Sequence, residues 1–429
     1  MRRVGEGRAH PALVAVACAA VLLVAAVPAV SDDETVSFHY PRPTGPFPVG
    51  TRFLFLEDSG RLDAFSKHPG SHRWISTKVW YPATLPAAAT PCPYAETGFE
   101  ERLVKEGFFA PDFIAEVARR PSASFRDVPL AHQDSPWPVL LFSCSGVMTA
   151  NVMLYEELAS HGYVVVAVGH PYWSEFYFHG DGTSFELDKS NPHYLQLWKE
   201  ENSKDVIDTK ARITRSNDSA ERLVLYRRLN TLMPTEAADL DLWHGDIDFL
   251  IDELEKLNRT ESPYRGRLDL DRIGVLGYSK GGALASQICA TRSRVKAGVN
   301  LGGFVFGGLV DGRLRRPFMT LEHVEPWAES SPPLFLPFLE RSKCDAYNVD
   351  IEGGNHSTFT DLPVLRRYIL PQGVLGPIDG ARSALIVRSY VLAFLDSYVK
   401  GAPRSTLLDE VPSRFAEARF VRRVVQRTR

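Results

Sequence analysis

The chain has 429 residues, 44% hydrophobic and 24% charged, the make-up of an ordinary globular protein able to bury one large core or two small ones. Its 49 basic and 52 acidic residues leave a net charge of -3, so no polycationic field supports nucleic-acid binding, and a small molecule is the expected ligand.

The first thirty residues open on Met1-Arg2-Arg3, continue through an uncharged Ala/Val/Leu stretch from Pro11 to Val30 and end in small residues at Val27-Pro28-Ala29. That order is the pattern of a secretory signal, with export as its consequence. An uncleaved membrane anchor is the second reading, because the apolar run approaches the roughly 20 residues that span a bilayer. Residues 31–50 form a Pro-rich segment, residues 51–400 the main domain, and residues 401–429 a tail with seven arginines and three acids that carries the apolar strip Phe420, Val421, Val424 and Val425.

Within the main domain, apolar runs bounded by turn residues predict eight strands, near Arg52–Leu56, Trp74–Tyr81, Pro138–Ser143, Tyr163–Val168, Ile273–Gly277, Ala297–Asn300, Pro317–Leu321 and Ala346–Ile351. Runs such as Tyr163-Val164-Val165-Val166-Ala167-Val168 do not alternate, which marks strands covered on both faces and hence a mostly parallel sheet. Helical patterns fall between them, at Leu154–His161, Leu240–Leu257, Gly281–Ala290 and Arg382–Val399, and this alternation defines an α/β doubly wound architecture with helices on both faces. Residues 171–240 interrupt the pattern with aromatics and then a charged stretch; a connection this long predicts a cap or lid over a site.

Gly277-Tyr278-Ser279-Lys280-Gly281 sits between the fifth predicted strand and the helix that follows it. Two glycines permit the sharp turn that lifts a serine hydroxyl clear of the backbone, the arrangement of a nucleophile in a serine ester or amide hydrolase. His356 is the expected base: it follows the last predicted strand, lies at the carboxyl edge where ligand crevices form, and comes after Ser279 in the chain. His323 is a lesser rival, while His161 and His170 fit structural or pocket-wall roles. The oxyanion hole needs two N–H donors, expected from Lys280 and from the Phe142–Val147 loop, where Gly146 is the first choice and Val147 the alternative. The Lys280 side chain reads first as a solvated surface lysine opening the helix and second as an attractor for an anionic substrate group. His170, Tyr172, Trp173 and Phe178 are the expected substrate-pocket wall. Four cysteines, Cys92, Cys144, Cys289 and Cys344, follow the signal, allowing one or two disulfides, although Cys144 and Cys289 read as buried free thiols. No spacing suggests a metal site or a cofactor.

These residues resemble a known family, the secreted α/β-hydrolases related to platelet-activating-factor acetylhydrolase, or lipoprotein-associated phospholipase A2. The resemblance rests on Pro43–Thr51, Lys78–Ala83, Phe142-Ser143, Leu158–Tyr163, His170-Pro171-Tyr172, the elbow at Gly277–Gly281 and His356–Asp361. It implies one α/β-hydrolase domain, metal-independent, that cleaves carboxylic esters, with phospholipid acetyl or oxidised acyl groups among the substrates and a membrane or lipoprotein surface as a further partner. In the family's oxyanion turn a histidine-glycine pair follows Phe-Ser; here Cys144-Ser145-Gly146 stands instead. The family's triad acid follows the sixth strand, and the matching residue in Val299-Asn300-Leu301-Gly302-Gly303 is Gly302. Topology offers Glu325, just past the seventh strand, as a substitute acid, with Glu322 and then Asp311 as rivals. The competing reading is a catalytically weak or dead hydrolase that binds a lipid or protein partner.

Overall fold

The computed structural model describes residues 40–424 apart from 64, 67, 69, 96–111, 145–147, 172–175, 179–183, 187–189, 292–293, 325–332, 367–374 and 410–413. The signal or anchor segment and the far end of the tail therefore lie outside the described residues. Among the described residues no helix is long and apolar enough to cross a membrane.

In chain order the strands are β1 (Val49–Leu62), β2 (His72–Pro82), β3 (Pro91–Pro93), β4 (Pro121–Arg126), β5 (Trp137–Cys144), β6 (Val164–Gly169), β7 (Phe176–Phe178), β8 (Ser184–Glu186), β9 (Leu268–Tyr278), β10 (Val295–Leu301), β11 (Phe318–His323), β12 (Ala346–Ile351) and β13 (Ala418–Arg423). The helices are α1 (Val152–Ser160), α2 (Pro192–Glu201), α3 (Lys204–Arg215), α4 (Ser219–Leu232), α5 (Pro234–Arg259), α6 (Lys280–Thr291), α7 (Leu336–Arg341) and α8 (Gly380–Leu395). The main sheet runs β13-β12-β11-β10-β9-β5-β6-β2-β1-β4-β3, eleven strands, while β7 and β8 pair separately.

All eight expected strands are present, but the expectation of an eight-stranded sheet is corrected to eleven. The extra strands lie at the edges. Short β3 and β4 extend one side, and β13 pairs antiparallel with β12 from Ala346↔Arg423 to Ile351↔Ala418. The tail's arginines hid this strand, because an edge needs only one apolar face and tolerates charge on the other. The core strands β6, β5, β9, β10, β11 and β12 are mutually parallel.

Alternate side chains of the central strands enter two apolar layers. Val139 and Leu141 of β5 and Val164 and Val166 of β6 pack with Trp243, Ile247 and Leu250 of α5 and Leu284 and Ile288 of α6. On the other face Leu140, Phe142 and Val165 pack with Tyr155 and Leu158 of α1 and Ile386, Tyr390 and Phe394 of α8. This double cover explains the unbroken apolar runs, and it places the loops after β5, β9, β10, β11 and β12 at one edge of the sheet. The insertion at residues 171–240 contains the β7–β8 pair, α2, α3, α4 and the start of α5. Cys289 and Cys344 carry free thiols, and Cys289 is fully buried, as its helix context predicts.

Candidate active site

Ser279 stands between the end of β9 and the first residue of α6 with φ of 57°, in the left-handed region that side chains rarely adopt. Holding a serine there costs on the order of 1–3 kcal/mol, and strain of this kind persists only where surrounding structure imposes it. Two contacts show how it is imposed. A Cβ on Gly281 would lie 2.1 Å from the Ser143 carbonyl oxygen, and one on Gly277 would lie 2.4 Å from the Gly281 carbonyl carbon. Only glycines let the turn close against the end of β5. The Ser279 amide donates to the Leu301 carbonyl at 2.9 Å, fastening the elbow to β10.

His356 opens a one-turn 3₁₀ segment after β12. Asn355 caps that turn: its side chain accepts from the Ser357 amide at 3.1 Å, while its own amide donates to Thr358 Oγ1 at 2.8 Å. The far end of the loop is held by Asp361, whose amide donates to Ala150 O at 2.7 Å and whose side chain accepts from Tyr94 Oη at 3.0 Å and the Met153 amide at 3.1 Å. Burial pushes the Asp361 carboxyl up to about 8, and its partners show that it faces α1 rather than His356. So held, His356 Nε2 lies 3.1 Å from Ser279 Oγ, within reach for proton transfer. The Tyr278 ring packs on the imidazole at 4.9 Å and His323 approaches edge-on at 6.3 Å.

On the other side of His356 lies Gly302, directly after β10, with φ of 70°. A Cβ there would sit 3.4 Å from His356 Nδ1, so this position faces the nitrogen that a triad acid would address. The same Cβ would lie 2.8 and 2.9 Å from the Phe359 ring carbons Cδ2 and Cε2, so the ring fills the space. Among the described residues no carboxylate bonds to Nδ1. Loss of water around the ring, then the charges of His323 and Lys210, lower the imidazole pKa to about 3. A base with that pKa is neutral throughout the physiological range but accepts a proton weakly.

The other expected residues fall as follows. Glu325 and the oxyanion candidates Gly146 and Val147 lie outside the described residues, as do Tyr172 and Trp173. Phe178 ends β7. Glu322 is buried beside Asp350, accepts from the Leu334 amide at 3.0 Å and is pushed up by burial and by that neighbour's charge. Asp311 is an exposed partner of Arg227 at 2.7 Å. Neither rival acid bonds to His356. Lys280 is the first residue of α6, and the opening amides of a helix lack intrahelical acceptors, as an oxyanion donor requires.

Its side chain corrects the expectation of a solvated lysine. It is 8% exposed, with Nζ 2.9 Å from Glu236 Oε2 and 2.8 Å from Asp239 Oδ2 of α5. Burial opposes the ammonium, yet the two carboxylates outweigh it and raise the pKa. With two acids on one cation, this group offers no surplus positive charge to an anionic substrate.

His170 is wholly buried rather than open to a crevice. Its Nδ1 lies 2.8 Å from Asp246 Oδ2, its Nε2 lies 3.4 Å from Ser143 Oγ, and its ring stacks on Trp243 at 3.9 Å. Burial holds its pKa below the ordinary value despite Asp246. Asp246 stays ionised, since Arg73 and His170 overcome the effect of burial and lower its pKa. Among the described residues no group of three or more His, Cys, Asp or Glu side chains is arranged to hold a metal ion.

A family described as platelet-activating factor acetylhydrolase, isoform II, matches residues 36–402. A probable 1-alkyl-2-acetylglycerophosphocholine esterase of Arthroderma benhamiae is 24% identical across 92% of this chain and 96% of its own length. The platelet-activating factor acetylhydrolase of Bos taurus is 24% identical over 61% of this chain and 57% of that protein. A solved ferulic acid esterase from Streptomyces cinnamoneus shares the fold, with 24% identity and a TM-score of 0.65 over 90% of this chain and 99% of that one. Because the family match spans residues 36–402, most of its length, the chain belongs to the platelet-activating factor acetylhydrolase, isoform II, family of α/β-hydrolases.

Proposed function

We propose that this protein is a serine carboxylic-ester hydrolase that works with a Ser279–His356 dyad. Ser279 Oγ attacks the ester carbonyl while His356 Nε2 takes its proton; the same nitrogen returns the proton to the departing alkoxide, and water then repeats the sequence to release the acid. The observation that carries this reading is the 3.1 Å approach of His356 Nε2 to a serine held in left-handed backbone. The expected substrates are short acyl or lipid esters, with phospholipid acetyl groups, the class named in the relatives' activities, and oxidised acyl groups among them, and residues 171–240 acting as the cap. Export through the N-terminal segment and contact with a membrane or lipoprotein surface belong to the same proposal.

A panel of nitrophenyl esters from acetate to decanoate tests it. Turnover above the Ser279→Ala background, strongest for one range of chain length, is the expected result; no turnover for any ester would favour the second reading, a catalytically dead hydrolase that binds a lipid or protein. A glycine and the Phe359 ring, where an acid beside His356 Nδ1 was expected, give that reading its footing.

Two further outcomes follow from the dyad. Because only neutral His356 can act as base and its pKa lies near 3, activity should hold level as pH falls from 8 to 5, where a histidine of ordinary pKa would already be losing it. An acid limb centred between pH 6 and 7 in kcat/KM would contradict this. Glu325, the acid expected from topology, is tested by Glu325→Gln: a tenfold or larger loss of kcat gives it the role of triad acid, and a change of less than about twofold leaves the dyad.

A further inference from the structure

A helix packed on a sheet normally buries an apolar stripe. The C-terminal half of α5 does so with Ile247, Leu250, Ile251 and Leu254, but its N-terminal half buries Glu236, Asp239, Trp243 and Asp246. Successive spacings of three, four and three residues put these four on one face. Burying three carboxylates is costly unless each is paired, so their partners reveal the purpose of the face.

Glu236 and Asp239 both bind Lys280, the residue after the nucleophile. Trp243 carries Lys280 Nζ 5.1 Å from its ring centroid and stacks on His170 with the planes 6° apart. Asp246 receives Arg73 Nε and Nη2, each at 2.7 Å, Arg61 Nη2 at 2.9 Å and His170 Nδ1 at 2.8 Å. With its Nδ1–H donating to Asp246, His170 has Nε2 left to accept from the Ser143 hydroxyl. Ser143 lies at the end of β5, where its carbonyl meets the elbow glycines, and the chain reaches Gly146 three residues later.

Resting on the esterase reading, we propose that the Glu236–Asp239–Trp243–Asp246 face of α5 is a positioning element for the nucleophile elbow and the oxyanion donor at Lys280. It acts on Lys280 directly and on the end of β5 through His170 and Ser143. An oxyanion hole is effective only if its donors are fixed before charge develops, and displacement by about 1 Å can cost on the order of a hundredfold in rate. One helix face thus ties down both Lys280 and the strand end on which the elbow glycines close. Ser143, His170 and Asp246 repeat the residue types of a Ser–His–Asp triad, but with 4%, 0% and 0% exposure they are closed to substrate and serve as a brace.

Ser143→Ala removes the final hydroxyl of the brace without leaving a buried charge unpaired, and circular dichroism checks its fold. Ester kinetics and calorimetric binding of phenylboronic acid, whose tetrahedral serine adduct places an oxygen in the oxyanion hole, are measured in parallel. For Ser143→Ala the expected result is a kcat about tenfold lower with KM within about twofold, a matching loss of boronate affinity, and recovery of both in Ser143→Thr. A folded Ser143→Ala protein that keeps wild-type kcat and boronate affinity, or loses only thermal stability, overturns the brace while leaving the esterase reading intact. Wild-type protein that neither hydrolyses esters nor binds the boronate overturns both.

Discussion

Replacing Ser279 by alanine is expected to lower kcat for nitrophenyl acetate by about a hundredfold, far less than in a complete triad. In a complete Ser–His–Asp protease, loss of the nucleophile costs about 10⁶-fold and loss of the acid alone about 10⁴-fold. A serine–histidine pair without its acid therefore retains an advantage of about 10² over an enzyme stripped of the triad, the remainder coming from substrate binding and the oxyanion hole. Here His356 has Gly302 and the Phe359 ring where a carboxylate would stand, and its lowered pKa makes it a weak proton acceptor. The size of the Ser279→Ala effect thus reports whether a carboxylate assists the base as well as what the nucleophile contributes. Steady-state kinetics of both proteins in one assay give it, and a drop of 10⁵-fold or more would mean that some carboxylate completes the triad.

Gly302→Asp combined with Phe359→Leu is expected to raise kcat between ten- and a hundredfold, within the roughly 10⁴-fold ceiling set by a triad carboxylate. Backbone and ring each constrain this substitution. Gly302 has φ of 70°, and aspartate is among the few residues that enter the left-handed region readily. Its Cβ would point at His356 Nδ1 from 3.4 Å, so the carboxylate one bond further can accept the Nδ1 proton, fix the tautomer and stabilise the imidazolium. Phe359 must yield, because its ring carbons would lie within 3 Å of that Cβ, and leucine frees the space while keeping the site apolar. Gly302→Asp alone should gain less than the pair, since it must displace a buried aromatic ring. In the pair, the acid limb of the pH–rate profile should move upward toward the ordinary histidine range, because an adjacent negative charge favours the protonated imidazole. An unchanged rate and unchanged profile in a correctly folded double variant would show that position 302 does not limit the Ser279–His356 pair.

The core of the fold was legible because its strands are covered on both faces. Runs such as Val164–Gly169 carry β-branched residues at nearly every position, and no helix or exposed strand requires that. The edges were not legible: β3 has three residues, and β13 mixes three apolar side chains with three arginines that an edge strand can leave in water. Ser279 and His356 were readable because chain order and glycine spacing are sequence properties, and so was the gap at Gly302. The brace was missed for a local reason. The expected helix began at Leu240, whereas α5 begins at Pro234, so Glu236 and Asp239 fell outside the periodic window that would have aligned them with Asp246. Lys280 was misjudged for a non-local one: a lysine taken singly belongs in solvent, and the carboxylates that bury it stand 44 and 41 residues away in the chain. Phe359 gave no signal at all, since an aromatic residue three positions after a histidine reads as core until the fold brings it against Gly302.

The most direct measurement is reaction of the purified protein with a fluorophosphonate, followed by mass mapping of the adduct. Phosphonylation needs the activated serine and its base but does not depend on knowing the natural ester. The expected result is one adduct on Ser279, absent from Ser279→Ala and much slower to form in His356→Ala. No adduct on the wild-type protein, or one that persists when Ser279 is alanine, would contradict a Ser279–His356 hydrolase.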